Sequence, residues 1–135
     1  MNLFFVDSSV LLDLFLHDRQ WFEWSSGAVD EAAELGPLVI NPVVLAEVSV
    51  RYSTLELLDA ALPRDFLRRE PIPDAAAFLA GKAFLRYRRR GGPRTTLLPD
   101  FLVGAHAAVR RYRLITRDPR RFRDYFPTLQ IIAPD

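Results

Sequence analysis

Residues 2–6 hold the uninterrupted apolar run Leu3-Phe4-Phe5-Val6. A strand with one wet face alternates polar and apolar side chains; a strand covered on both faces does not. This run therefore reads as a short strand buried from both sides. Pro37-Leu38-Val39-Ile40 reads as a second strand, Leu114-Ile115-Thr116 as a third and Leu129-Gln130-Ile131-Ile132 as a fourth.

Helical signals fill the intervals. Ser8 or Ser9 is suited to cap a helix carrying Val10, Leu11, Leu12, Leu14 and Phe15, which would leave Asp7 free. Asp18 can cap a second helix with Trp21, Phe22, Trp24 and Val29, ending before Gly36. Asn41-Pro42 starts a third, with proline early in the helix where its missing N–H costs nothing; this helix carries Glu47, and residues 54–62 continue as helix. Prolines punctuate the chain from Pro63 to Pro73, with room for one short strand near Glu70. Asp74 opens an alanine-rich helix, Ala75 to Arg90, that stops at Gly91-Gly92-Pro93; residues 99–112 form another, opened by Pro99-Asp100. Strands separated by helices imply parallel pairing through right-handed crossovers. The expected fold is a three-layer α/β/α sandwich with a central, mainly parallel sheet, in one domain spanning 1–135.

In such sheets ligands bind beyond the carboxyl ends of the strands. Asp7 and Asp118 lie just past two of those ends, so they share an edge whatever the strand order. Glu47 interrupts Val43-Val44-Leu45-Ala46 and Val48, and Asp100 opens Phe101-Leu102-Val103. A carboxylate avoids apolar surroundings unless it is paired, hydrogen-bonded or bound to a cation. Each acid has a plainer reading: Asp7 as a helix cap, Glu47 as the partner of Arg51 one turn on, Asp100 as a first-turn acid, Asp118 as a turn former before Pro119. Four together favour a site. An all-oxygen cluster suits Mg²⁺ or Mn²⁺ rather than zinc, and a cation so held can activate water against a phosphodiester. Ser9 and Thr116 add hydroxyls at the same two strand ends.

A composition that is 50% hydrophobic and 12% aromatic excludes disorder. No apolar stretch is long enough to span a bilayer, and the apolar run after Met1 stops at Asp7 without a basic leader, so a cytoplasmic protein with no membrane association is expected. The absence of cysteine excludes disulfides, thiolate zinc sites and a cysteine nucleophile. Net charge of +1 gives no global pull on nucleic acid. Its distribution is more telling, because Lys82 is the one lysine and the arginines cluster at Arg86 to Arg90, Arg110 to Arg113 and Arg117 to Arg123. Arginine binds phosphate bidentately and stacks on bases. Arg88, Arg89, Arg90 and Arg117 are accordingly candidate contacts to a nucleic-acid backbone, the first three within a basic run from Arg86 to Arg94. A solvated basic face is the plainer reading of each.

At these residues the chain resembles the PIN-domain family, and within it the VapC-type ribonuclease toxins of toxin–antitoxin pairs. The resemblance rests on Val6-Asp7-Ser8-Ser9-Val10, Leu45-Ala46-Glu47, the segment Leu98-Pro99-Asp100-Phe101-Leu102-Val103-Gly104-Ala105-His106-Ala107, Leu114-Ile115-Thr116-Arg117-Asp118, and the ending from Phe126 to Pro134. It implies an endoribonuclease dependent on Mg²⁺ or Mn²⁺. The family's acidic positions fall on Asp7, Glu47, Asp100 and Asp118, with Asp7, Asp100 and Asp118 as metal ligands. Its supporting hydroxyl or amide falls on Ser9, where many members have Asn, and its Ser or Thr before the last Asp falls on Thr116. It also implies a homodimer and inhibition by a cognate antitoxin. The alternatives are a PIN nuclease of RNA processing or decay, a phosphoacceptor receiver domain and an inactive binding module. A receiver would need a lysine at a later strand end, whereas Lys82 falls mid-helix, and no acidic position has been lost as an inactive module would allow.

Overall fold

The computed structural model describes residues 3–93 and 97–134. Asn2 of the expected first strand and Arg94 of the expected basic run lie outside them. Five strands alternate with seven helices among the described residues: β1 (Phe4–Val6), α1 (Ser8–Leu16), α2 (Phe22–Leu35), β2 (Leu38–Ile40), α3 (Pro42–Ser49), α4 (Leu55–Ala61), β3 (Leu67–Arg69), α5 (Asp74–Arg89), α6 (Leu98–Arg110), β4 (Arg113–Ile115), α7 (Arg120–Tyr125) and β5 (Ile131–Ile132). All strand pairs are parallel, in the order β3-β2-β1-β4-β5. The expected sandwich is thus observed, with the strand near Glu70 present as β3.

That order explains the apolar runs. β1 is central, with Phe5 opposite Val39 on one side and Leu114 on the other. Phe4, Phe5, Val6, Val39 and Ile40 are all within 1% of complete burial. Strands step one way from β1 to β3 and the other way from β3 to β5, so right-handed crossovers place helices on both faces. The contacts agree: α1 packs on α2 and α3, and α6 on α5 and α7. The point where the chain order reverses lies between β1 and β4, which is where such sheets hold ligands.

Several boundaries differ from expectation. Asp7 itself stands at the N-cap of α1, with extended backbone and its side chain accepting from the Ser8 amide. The strand ends at Val6, so the two serines already lie inside the helix and their hydroxyls turn elsewhere. Asp18 accepts from the amides of Gln20 and Trp21 and caps a turn; α2 starts only at Phe22. Residues after Ser49 do not prolong α3, because Thr54 caps α4 as a separate helix. Helix α7 carries no strong periodic signal. Only two of its neighbouring side chains, Phe122 and Phe126, are buried, and they pack over Gly104 of α6. A Cβ at Gly104 would stand 2.6 Å from the Phe126 ring, so the close seating of α7 on α6 depends on glycine there.

Candidate active site

Beyond the carboxyl ends of β1 and β4 a cleft of about 220 Å³ is lined by Asp7, Ser8, Ser9, Asp100, Arg117, Asp118 and Arg121, with Leu12 and Phe122 as its apolar wall. Each acid arrives by a different route. The end of β1 supplies Asp7, the first turn of α6 supplies Asp100, and the loop after β4 supplies Asp118. The three candidate metal ligands therefore share one cleft. Glu47, on α3, lies outside its lining, beside an apolar groove of about 380 Å³ formed with Pro42, Val43, Ala46, Leu98, Pro99 and Leu102.

Asp7 is the best-anchored member. Its Oδ1 accepts from the Ser8 amide at 2.9 Å, and its Oδ2 accepts from Ser9 Oγ at 2.9 Å and Thr116 Oγ1 at 2.8 Å. Burial pushes its carboxyl above the usual range; the hydroxyl donors from Thr116 and Ser9 pull it back, and the negative charge of Asp100 adds to the rise. Thr116 is fully buried and also accepts the Asp118 amide at 3.1 Å, so one hydroxyl ties the first acid to the last. Ser9 and Thr116, the two hydroxyls singled out from sequence, thus both donate to Asp7.

Glu47 forms no ion pair with Arg51. Its Oε1 accepts from Ser8 Oγ at 3.0 Å, across 39 residues of chain. Burial raises its carboxyl too, offset by Ser8, and the charges of Asp7 and Asp100 raise it further. Ser8, marked in the sequence only as a candidate helix cap, thus bridges the cleft to Glu47. Asp100 is paired with Arg121, whose Nη1 donates to Oδ2. Asp118 is the most open acid, its side chain 69% exposed.

The arginine candidates divide. Arg117 donates from Nε to Asp13 Oδ2 at 2.9 Å, and its guanidinium lies 5.8 Å from the Trp21 ring centre. Asp13, buried to 2% and bonded also to Ser25 Oγ at 2.7 Å, is a carboxylate that sequence reading missed, hidden within an apolar helix. Arg117 is thus anchored by Asp13 while it lines the cleft, with its Nη1 3.8 Å from Asp118 Oδ2. Arg88 donates to the Gly92 carbonyl at the end of its own helix, Arg90 stacks toward Tyr125, and Arg89 is exposed. Lys82 sits over Phe78 on α5, far from any strand end.

A separate polar network lies behind the cleft. His106, fully buried on α6, receives the Asn41 side-chain amide at Nδ1 (3.1 Å) and faces Glu70 Oε1 from Nε2 at 2.8 Å. This arrangement sets the neutral tautomer with the proton on Nε2. Glu70 also accepts from Tyr112 and Arg110. Asn41 caps α3 with the same side chain, through the amides of Val43 and Val44. The network so clips the helix bearing Glu47 to the helix bearing Asp100.

The sequence matches the profile of the PIN domain over residues 4–125. The chain belongs to the PIN-domain family. PIN domains are nucleases, and the all-parallel sheet between helix layers is consistent with the fold of that family. Three solved structures illustrate the fold. A chain of VapBC2 from Rickettsia felis, bound to a promoter DNA fragment, superposes with a TM-score of 0.73 at 16% identity over 98% of this chain and 99% of that one. VapBC-1 of nontypeable Haemophilus influenzae gives 0.73 at 17% identity, covering 97% of each. VapBC-5 of Mycobacterium tuberculosis, a member of a toxin–antitoxin family, gives 0.58 at 21% identity over 98% of each. No curated protein matches.

Among the described residues no three acidic or histidine side chains stand close enough together to ligate one ion as they are. The chemistry nonetheless fits a hard divalent cation. Every polar donor on the acidic wall is oxygen, three carboxylates line one cleft, and the charge of Asp100 raises both Asp7 and Glu47. Arg121 already places one positive charge against Asp100.

Proposed function

We propose that this PIN domain is a metal-dependent endoribonuclease and the toxin of a type II toxin–antitoxin pair. The observation that carries the nuclease reading is the shared cleft of Asp7, Asp100 and Asp118, in which Asp7 is held ready by three donors in a buried setting. Asp7, Asp100 and Asp118 would hold Mg²⁺ or Mn²⁺, which when bound lowers the pKa of a water and stabilises charge on a phosphodiester oxygen.

The remaining work falls to the chain's own residues. Ser9 and Thr116 fix the Asp7 carboxylate in one rotamer, so no reorganisation is needed when it is engaged. Ser8 ties Glu47, in the neighbouring groove, to the cleft, and its raised carboxyl is suited to accept a proton. Arg121 neutralises Asp100 and stands where a phosphate would enter. The exposed Asp118 closes the outer side.

The toxin reading is supported by the resemblance at five ordered segments and by fold likeness to chains of VapBC structures. An antitoxin and a second copy of the chain are the expected partners, and the exposed apolar groove beside Glu47 is a surface suited to protein contact. No helix among the described residues is long and apolar enough to cross a membrane. A nuclease of RNA maturation would have the same cleft. The two separate on whether the chain alone arrests growth.

The deciding experiment compares wild type with Asp7→Asn. Purified wild type cleaves total RNA with Mg²⁺ or Mn²⁺ and not in EDTA, while Asp7→Asn is inactive yet folded by circular dichroism. Expression of wild type alone stops growth, and Asp7→Asn relieves the arrest at equal soluble protein. RNA left intact by wild type with either metal overturns the nuclease reading.

A further inference from the structure

Two arginine clusters that are distant in sequence meet in space. Along α7 an open groove of about 650 Å³ is lined by Asp118, Pro119, Arg120, Arg121, Arg123 and Asp124. It shares Asp118 and Arg121 with the carboxylate cleft, so the two are continuous. At the far end of α7, Arg86 Nη2 donates to the Tyr125 carbonyl at 3.3 Å, and the Arg90 guanidinium lies 5.3 Å from the Tyr125 ring centre. The C-terminal turn of α5 thus abuts the C-terminal turn of α7. Tyr125 joins the two basic segments, and its ring stands 6.2 Å from that of Tyr87.

We infer that this joined surface is one track for single-stranded RNA, running from the carboxylate cleft along α7 to Arg86 and Arg90. The inference rests on the nuclease reading and adds to it the path and phosphate contacts of the substrate. Arginines supply bidentate phosphate contacts that carry no sequence preference, while Tyr87 and Tyr125, half-buried against the core, hold the two basic segments together. A helix of six residues is only about 9 Å long, so Arg120 and Arg123 serve nucleotides next to the cleft. Arg86 and Arg90 serve nucleotides further along the strand. Arg88 bonds within its own segment, to the Gly92 carbonyl, and not to α7. The α5 contribution therefore comes from the residues that touch α7, not from the whole basic run.

The test measures binding without turnover. Metal-free protein in EDTA is titrated with fluorescein-labelled single-stranded RNA over a NaCl series, using oligonucleotides of about four and about twelve nucleotides, the span of sites on single-strand binders. Wild type is compared with Arg120→Ala/Arg123→Ala, with Arg86→Ala/Arg90→Ala, and with Arg64→Ala/Arg68→Ala as a charge-matched control on the β3 side of the molecule. Each phosphate contact on a single strand adds about 0.7 to the log–log salt slope, so each track pair should lower it by about 1.4. The α7 pair should do so on both lengths, and the α5 pair on the long oligonucleotide only. An unchanged slope for the α5 pair on the long RNA overturns the track, as does an equal drop in the control pair. So does a surface whose loss impairs binding of a protein partner but not of RNA. Wild type that cleaves RNA while the α5 pair binds normally removes the track alone; wild type that neither binds nor cleaves removes the nuclease reading with it.

Discussion

Thr116→Val isolates the hydrogen bond on which the acidic edge depends. Valine matches threonine in shape, so packing is kept while the buried hydroxyl is lost. Two bonds disappear: the 2.8 Å bond donated to Asp7 Oδ2 and the 3.1 Å bond accepted from the Asp118 amide. The second group is at an exposed residue and can turn to water. The first leaves a buried carboxylate with one donor fewer. A hydrogen bond to a charged group contributes about 1.5–3 kcal/mol, so metal-free Thr116→Val should lose about 2 kcal/mol at pH 7. For a chain of this length that corresponds to a fall of roughly 6–10 °C in Tm. The pH dependence identifies the cause. Asp7 already has a raised folded-state pKa, so the folded state holds its proton in a window where the unfolded state does not, and stability falls as pH rises through that window. Removing a donor that favours the charged form raises the folded value again. The deficit of the variant should therefore be largest at neutral pH and shrink as pH falls and Asp7 is protonated. Thr116→Ser should restore most of it. Urea unfolding in EDTA at several pH values provides the measurement. A deficit below about 0.5 kcal/mol, or one that does not change with pH, would refute the view that Thr116 acts through the Asp7 charge.

Three further outcomes are expected. Gly104→Ala gains helix propensity but drives a Cβ to 2.6 Å from the buried Phe126 ring; it should destabilise the fold by about 1–2 kcal/mol in chemical denaturation, and displacement of α7 should cut RNA cleavage more than the lost stability explains. Arg121→Gln removes the cation now on Asp100; if an exposed pair of this kind contributes about 0.5–1 kcal/mol, the Mg²⁺ concentration at half-maximal thermal stabilisation should fall about two- to fivefold, and an unchanged midpoint would separate Arg121 from the cation site. The network behind the cleft should be acid-labile. Burial holds His106 below its ordinary value against the pull of Glu70, so the unfolded state takes up a proton first as pH drops below about 6.5; burial alone would raise Glu70, but its bonds from His106, Tyr112 and Arg110 hold it low, so its share is lost at still lower pH. His106→Gln should flatten the upper part of that decline in a stability-versus-pH curve.

The sequence by itself determined the layer architecture. Runs such as Leu3-Phe4-Phe5-Val6 have no polar face, so they can only be strands covered on both sides, and helical segments between them leave parallel pairing as the outcome. It also placed Asp7, Asp118, Ser9 and Thr116 at one sheet edge, because position past a strand end is a property of chain order alone. Tertiary structure decided the rest. Strand order put β1 beside β4 and so brought Thr116 onto Asp7 across 109 residues. It sent Glu47 to the neighbouring groove, joined only through Ser8, which no local pattern distinguishes from a helix cap. It bonded Arg117 to a buried Asp13 that sits in an apolar helix with nothing in its neighbours to mark it. Helix α7 escaped notice because six largely charged residues have almost no periodic signal; its place is fixed by two phenylalanines packing on Gly104 of another helix. Local periodicity reports which faces of a segment are buried. Which side chains meet across the fold depends on crossovers and close approaches between segments far apart in the chain, and these have no local signature.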